Sequence, residues 1–192
     1  MKKIFLILFI FLMVNPANAE MTQQEAKQLL KEKGYVYGCT PINWNILKFR
    51  GGFNWAVMQN NTEIMELEKL AGLNITKCGI GIVNDAIAFK KDAALDFSLK
   101  NGFNANIHDL DHSLLTFAIY RKNPNAVKIL IENGADVNMV HCGKHPLNSA
   151  IKKNQPEMVK MLLEAGAEPN EQTEELVKKS KNSEIKKYFS YE

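Results

Sequence analysis

Lys128-Ile-Leu-Ile-Glu-Asn-Gly134-Ala-Asp-Val-Asn138 and Lys160-Met-Leu-Leu-Glu-Ala-Gly166-Ala-Glu-Pro-Asn170 are one phrase written twice, 32 residues apart. The same step carries outward through the chain. Gly102, Gly134 and Gly166 keep it, as do Asn106, Asn138 and Asn170, and Ala86, Ala118 and Ala150. Within the phrase, Val127, Leu130, Ile131 and Val159, Leu162, Leu163 fall at i, i+3, i+4, which is one face of a helix. The glycine stands where a helix ends in a left-handed residue, a conformation that glycine adopts cheaply. Pro146 suits a first helical turn, and the small Ala118 and Ala150 allow two helices to approach closely. A fixed period of this size predicts a stacked solenoid in which each unit buries its apolar face against its neighbours. That architecture offers an extended binding surface and no deep pocket of its own.

Two further units follow from the same landmarks. Ala86, Leu95, Leu99, Gly102 and Asn106 place one at 75–106. Ala56 to Gly72 repeats the 16-residue step of Ala118 to Gly134, so another runs through Ile64 and Leu67. The domain plan is thus four repeats at 43–74, 75–106, 107–138 and 139–170. Residues 20–42 precede them as an N-terminal helical cap and loop, where Ala26, Leu29, Leu30 and Gly34 read as a second helix without its first. Residues 171–192 form a lysine-rich C-terminal cap with helical stretches around Leu176-Val177 and around Ile185, Tyr188 and Phe189. Polar outer faces are what terminal repeats need for solubility. Thr40-Pro-Ile-Asn43 echoes the repeat opening, but Pro41 lies 31 residues before Gly72 whereas Pro146 lies 20 before Gly166. Either an insertion follows Thr40 or this is a loop with the helix starting near Phe53, and the loop is the preferred reading.

His145-Pro-Leu-Asn-Ser-Ala150 and Ser113-Leu-Leu-Thr-Phe-Ala118, each followed by a second helix ending in Gly-Ala-x-x-Asn, resemble the ankyrin repeat. They depart from its Thr-Pro-Leu-His-x-Ala opening at His145, Asn148, Ser113, Leu114 and Thr116. For His145, in the threonine slot, a helix-opening hydrogen bond is expected. The resemblance implies an all-α helix–turn–helix solenoid whose turns project to one side. It also implies partner binding by the turn tips and by the inner face of the first helices. Carried onto this chain, the turn positions are Lys77, Cys78, Ile80, Asp109, Leu110, His112, His141, Cys142 and Lys144. The inner-helix positions are Ala88, Phe89, Tyr120, Arg121, Lys152 and Lys153. Aromatic residues and arginine anchor interfaces most often, which puts Phe89, Tyr120 and Arg121 at the expected centre.

Lys2-Lys3, the apolar run Ile4–Val14 and Ala17-Asn-Ala19 read as a signal peptide, residues 1–19, cleaved after Ala19. The run falls short of the ~18–20 residues of a spanning helix, so no stable membrane insertion is expected after cleavage. The expected location is periplasmic or secreted, of bacterial type. Of the 24 Lys and Arg residues two lie in that leader, leaving 22 against 21 acidic residues. A balance this even lacks the basic excess of a nucleic-acid binder.

Three cysteines leave one odd. Cys78 and Cys142 are two repeats apart along the stack, on the order of 20 Å at the usual helix spacing, which is too far for a bridge. Cys39 and Cys78 are the remaining candidate pair, across the irregular first unit.

All four histidines fall in two adjacent turns, His108-Asp-Leu-Asp-His112 and His141-Cys-Gly-Lys-His145. Stacked, these turns form a ridge of nitrogen, carboxylate and thiol groups of the kind zinc, copper or nickel prefer, although the spacing matches no recognised metal motif. The metal-ligand candidates are His108, His112, His141 and Cys142. No phosphate-cradling loop, nucleophile elbow or His-Glu-x-x-His motif is present, and no cofactor is implied. Aromatics gather at Tyr35, Tyr37, Trp44, Phe49, Phe53 and Trp55, either as a cap on the core or as the wall of a cleft. The function expected is a monomeric, non-enzymatic module that binds another protein, with metal handling by the histidine ridge as the alternative.

Overall fold

The computed structural model describes residues 21–39 and 50–189. The leader Met1–Ala19, Thr40-Pro41, Trp44 and Phe49 lie outside the described residues. The chain begins with α1 (Gln23–Glu32), whose entry is fixed by a capping box in which Thr22 and Glu25 satisfy each other's backbone amides. A parallel bridge then joins β1 (Tyr35–Val36) to β2 (Arg50–Gly51). Four antiparallel helix pairs follow. They are α2 (Gly52–Met58) with α3 (Thr62–Leu70), α4 (Gly81–Ala88) with α5 (Asp92–Lys100), α6 (Leu114–Tyr120) with α7 (Pro124–Glu132), and α8 (Pro146–Lys152) with α9 (Pro156–Glu164). A shorter pair, α10 (Glu171–Lys179) and α11 (Ser183–Lys187), closes the stack. Apart from this bridge and isolated ones within two later turns, the architecture of the described residues is all-α.

Helices of seven to nine residues do not hold in water alone. Here they are held by burial. Ile64, Leu95, Leu130 and Leu162 of the second helices, and Ile87, Leu115, Ile119 and Leu147 of the first, are buried in one continuous core. Each such side chain contributes about 1.5–3 kcal/mol through removal from water. The alanines at 86, 118 and 150 are buried at the helix contacts, and the expected glycines are left-handed at each second-helix end: Gly72 (φ 91°), Gly102 (107°), Gly134 (82°) and Gly166 (89°).

Polar groups specify the stacking register. Asn106 accepts from the Asp136 amide at 2.7 Å and donates to the Gly134 carbonyl at 3.0 Å. Asn138 repeats this one unit on, with the Glu168 amide at 2.8 Å and the Gly166 carbonyl at 3.1 Å. A second ladder runs through the turns between paired helices. Asn123 donates to the Ile87 carbonyl at 2.9 Å and Gln155 to that of Ile119 at 3.0 Å. Each turn also contains one left-handed non-glycine residue: Asn60, Lys90, Lys122 and Asn154, with φ between 51° and 55°.

The first unit is the irregular one. A disulfide joins Cys39 to Cys78, which ends a 3-10 turn over Ile75–Cys78. Gly38 accepts from the Phe53 amide at 3.0 Å and donates its own amide to Glu68 of α3 at 3.0 Å. Glu68 is wholly buried, its other carboxylate oxygen has no partner, and burial pushes its pKa up to about 7 despite the Gly38 hydrogen bond. Gly52, at φ 38°, lies so close to the Gly38 and Val36 carbonyls that a Cβ there would collide with backbone. Tyr35 packs edge-on against Trp55 at 5.5 Å while Tyr37 is exposed under Lys27, so these aromatics do not form one cluster.

Candidate functional site

Two stacked turns project from the helix pairs. In the first, His108 and Ser113 form an antiparallel bridge, and the Asp109 carboxylate accepts from the amides of Asp111 at 2.9 Å and His112 at 2.8 Å. Burial alone would raise the Asp109 pKa; those amides, the Asn84 side chain and the His112 charge outweigh it and hold the carboxyl below its usual range. In the second, His141 pairs with Lys144 across Cys142 and Gly143, whose successive positive φ values of 48° and 67° make the tight reversal.

The two turns are fastened to each other. His141 Nε2 donates to the Asp109 carbonyl at 2.9 Å, Cys142 Sγ to that of Leu110 at 3.3 Å, and Lys144 Nζ to that of Asp111 at 2.8 Å. Lys144 Nζ also donates to His112 Nε2 at 3.2 Å, so that nitrogen is the unprotonated acceptor. Burial and the neighbouring Lys144 charge depress the His112 pKa, although Asp109 and Asp111 pull the other way.

The turns meet the first helices at Tyr120. Its ring has His112 edge-on at 4.7 Å, Lys153 over it at 4.4 Å and Lys144 at 5.8 Å. Arg121 reaches back over Phe117 at 5.9 Å and to the Ala88 carbonyl at 3.5 Å. Tyr120 and Phe89 remain 37% and 49% exposed, and Leu110, at the tip, 92%. Arg121, Lys152 and Lys153 are exposed beside them. Residues from three consecutive units thus share one face. Val140, 58% exposed beside the second turn, has no counterpart among the expected site residues; an apolar residue standing in a polar turn was the signal.

Several expectations need correction. The segment before α4 is a 3-10 turn and not a projecting turn like the other two, so Cys78 and Cys142 occupy unlike positions. Cys78 is consumed by the disulfide and Ile80 packs against the core; of that trio only Lys77 is exposed. His145 makes no helix-opening hydrogen bond: its ring is buried with Nδ1 unpartnered, and burial depresses its pKa, opposed by Asp136. The opening bond is made in the preceding unit, where Ser113 Oγ accepts the Thr116 amide at 3.2 Å. Asn148 instead ties α8 to the C-terminal cap through Asn170, Gln172 and Thr173.

The histidine ridge also resolves differently. His108 stacks face to face on His141 with ring centres 4.0 Å apart, His112 turns away to Lys144 and Tyr120, and His145 is buried in the helix opening. Among the described residues no group of three or more His, Cys, Asp or Glu side chains converges to hold a metal ion. Two concavities among the described residues lie along Met21–Glu32 and between α8 and the cap near Ile151 and Leu176. No helix among the described residues is long and apolar enough to cross a membrane.

No curated protein matches the chain. Residues 83–173 match the family model of ankyrin repeats (3 copies), and this stretch of the chain is built of ankyrin repeats.

Proposed function

We propose that the chain is an exported, non-enzymatic module that binds another protein through the face centred on Tyr120. Ankyrin repeats are protein-interaction modules, and the observation that carries the choice of face is the assembly at Tyr120. There an aromatic ring from one unit, cations from the next and two mutually fastened turns come together, still exposed, in a protein whose other large apolar side chains are mostly buried. Exposed aromatic and arginine side chains on a rigid frame are the groups that carry most interface energy. Phe89, Leu110 and Val140 supply apolar area around them.

Export is supported by the leader pattern at 1–19 and by the Cys39–Cys78 disulfide, a bond that persists in oxidising compartments. The test is crosslinking in the native compartment followed by identification of captured proteins, with Tyr120→Ala/Arg121→Ala as control. One partner captured by the native chain and lost in the control is the expected result. Capture that is unchanged in the control would remove the Tyr120 face from consideration. Mass spectrometry of the purified chain tests the leader separately, because export with cleavage leaves Glu20 as the first residue.

A further inference from the structure

The chain is close to neutral, but its charges are not evenly arranged. On the second helices the lysines are matched by a carboxylate one turn away: Lys100 with Asp96 at 2.7 Å, Lys128 with Glu132 at 3.9 Å and Lys160 with Glu164 at 3.8 Å. The remaining ion pairs among the described residues are on α1, α3 and the C-terminal cap. At the ends of the first helices the pattern changes. Ala88-Phe-Lys-Lys91, Tyr120-Arg-Lys-Asn123 and Lys152-Lys-Asn-Gln155 contain six cations and no acid. Neither Arg121 nor Lys122, Lys152 or Lys153 has a carboxylate within 4 Å among the described residues. Lys153 and Lys144 instead lie over the Tyr120 ring.

A second observation concerns the backbone. Lys90 and Lys122 hold φ values of 54° and 51°, a left-handed region that a Cβ disfavours and that glycine adopts readily. The structurally equivalent turns use Asn60 and Asn154, which tolerate that region. Lysine is therefore the costly choice at both positions, and both lie in the row of unpaired charge.

Resting on the reading of this face as the interaction surface, we infer that the partner presents an acidic segment of protein carrying an apolar anchor. Its carboxylates would lie along Arg121, Lys122, Lys152 and Lys153 while an aromatic or aliphatic side chain packs on Tyr120 and Phe89. Opposite charge across the interface steers encounter and fixes register more than it adds raw affinity. A protein segment fits better than a polyanion because the turn that sets His112 against Tyr120 also carries Asp109 and Asp111, fixed negative charges that a continuous run of phosphates would meet. The exposed apolar groups also have no use against a phosphate backbone.

The test is selection of a random peptide display library on the immobilised protein, purified from cells expressing the full chain. Selected peptides are then measured by fluorescence anisotropy against the native chain, Lys152→Glu/Lys153→Glu, Tyr120→Ala, and the matched outer-face control Lys128→Glu/Lys160→Glu. The expected result is enrichment of net-acidic peptides containing an aromatic or aliphatic residue. Their affinity should fall about tenfold or more in Lys152→Glu/Lys153→Glu and in Tyr120→Ala, stay unchanged in the outer-face control, and weaken with salt. Neutral or basic peptides that still lose binding in Tyr120→Ala would overturn the acidic partner and leave the interaction face standing. Peptides indifferent to both inner-face variants, or no enrichment at all, would overturn both. Phosphatidylglycerol-containing vesicles and duplex DNA are titrated in parallel; tighter binding of either, abolished by Lys152→Glu/Lys153→Glu, would replace the protein segment with that surface.

Discussion

Replacing Glu68 by glutamine should stabilise the protein at alkaline pH and remove part of its pH dependence. The carboxyl is wholly buried, with one oxygen accepting from the Gly38 amide at 3.0 Å and the other unpartnered. Burial raises its pKa from 4.5 to about 7. In the unfolded chain the group ionises above 4.5, whereas the folded chain keeps the proton until about 7. The stabilisation from the neutral form is therefore fully present below 4.5 and is lost as the pH rises through 7. At about 1.4 kcal/mol per pKa unit the upper bound is about 3 kcal/mol, and residual screening reduces it to about 1–2 kcal/mol. Glutamine keeps an acceptor for the Gly38 amide and carries no charge.

Thermal unfolding at pH 5 and pH 8 is the assay. Glu68→Gln should unfold about 2–6 °C above the native chain at pH 8 and close to it at pH 5. The depressed pKa values of His112 and His145 act with the opposite sign, because protonating the unfolded chain costs stability as the pH falls below the ordinary histidine value. They are common to both proteins and cancel in the difference. Parallel curves for the two proteins from pH 5 to pH 8 would show that Glu68 titrates normally, and would refute the reasoning.

Asn138→Ala removes a donor to Gly166 and an acceptor for the Glu168 amide, and should cost about 1–2 kcal/mol in denaturant unfolding. Asn138→Asp, which keeps the acceptor, should recover about half of that loss. Cys78→Ser opens a bridge spanning 39 residues, and loop-closure entropy sets the expected loss at about 3–4 kcal/mol, readable as a lower unfolding midpoint that reductant does not lower further. Lys122→Gly relieves a left-handed lysine at φ 51° and should stabilise by about 0.5–1 kcal/mol in the same assay while weakening any acidic ligand.

The repeat was legible because its two signals are strictly local. A helix-ending glycine needs positive φ wherever the unit occurs, and the apolar triplet Val127, Leu130, Ile131 needs one face, so both recur at fixed spacing. The asparagines at 106 and 138 betrayed the period but not their task, which spans two units and is visible only once these are stacked. His145 was misread for a related reason. Its slot in the repeat suggested a capping bond, but the ring went into the core and caps nothing. The segment at Ile75–Cys78 escaped because a 3-10 turn carries no periodic signal and was fixed by a covalent bond to a distant residue. At the face proposed for binding, Tyr120 and Arg121 followed from position in the repeat. The uncompensated charge at Lys152 and Lys153 did not, since pairing depends on which helix faces which.

The Cys39–Cys78 bond makes the stack mechanically asymmetric. Pulled from its two ends, the chain meets covalent resistance at one of them. At the other, the last turn is secured to the preceding unit by Asn182 donating to Asn154 at 2.8 Å and by the burial of Ile185. Rupture should therefore start at the C-terminal cap and travel unit by unit toward the bridge, with 39 residues withheld from the final contour length until the disulfide is reduced. The unit nearest the bridge is then the last to be lost under load, and the seed from which the stack can reform.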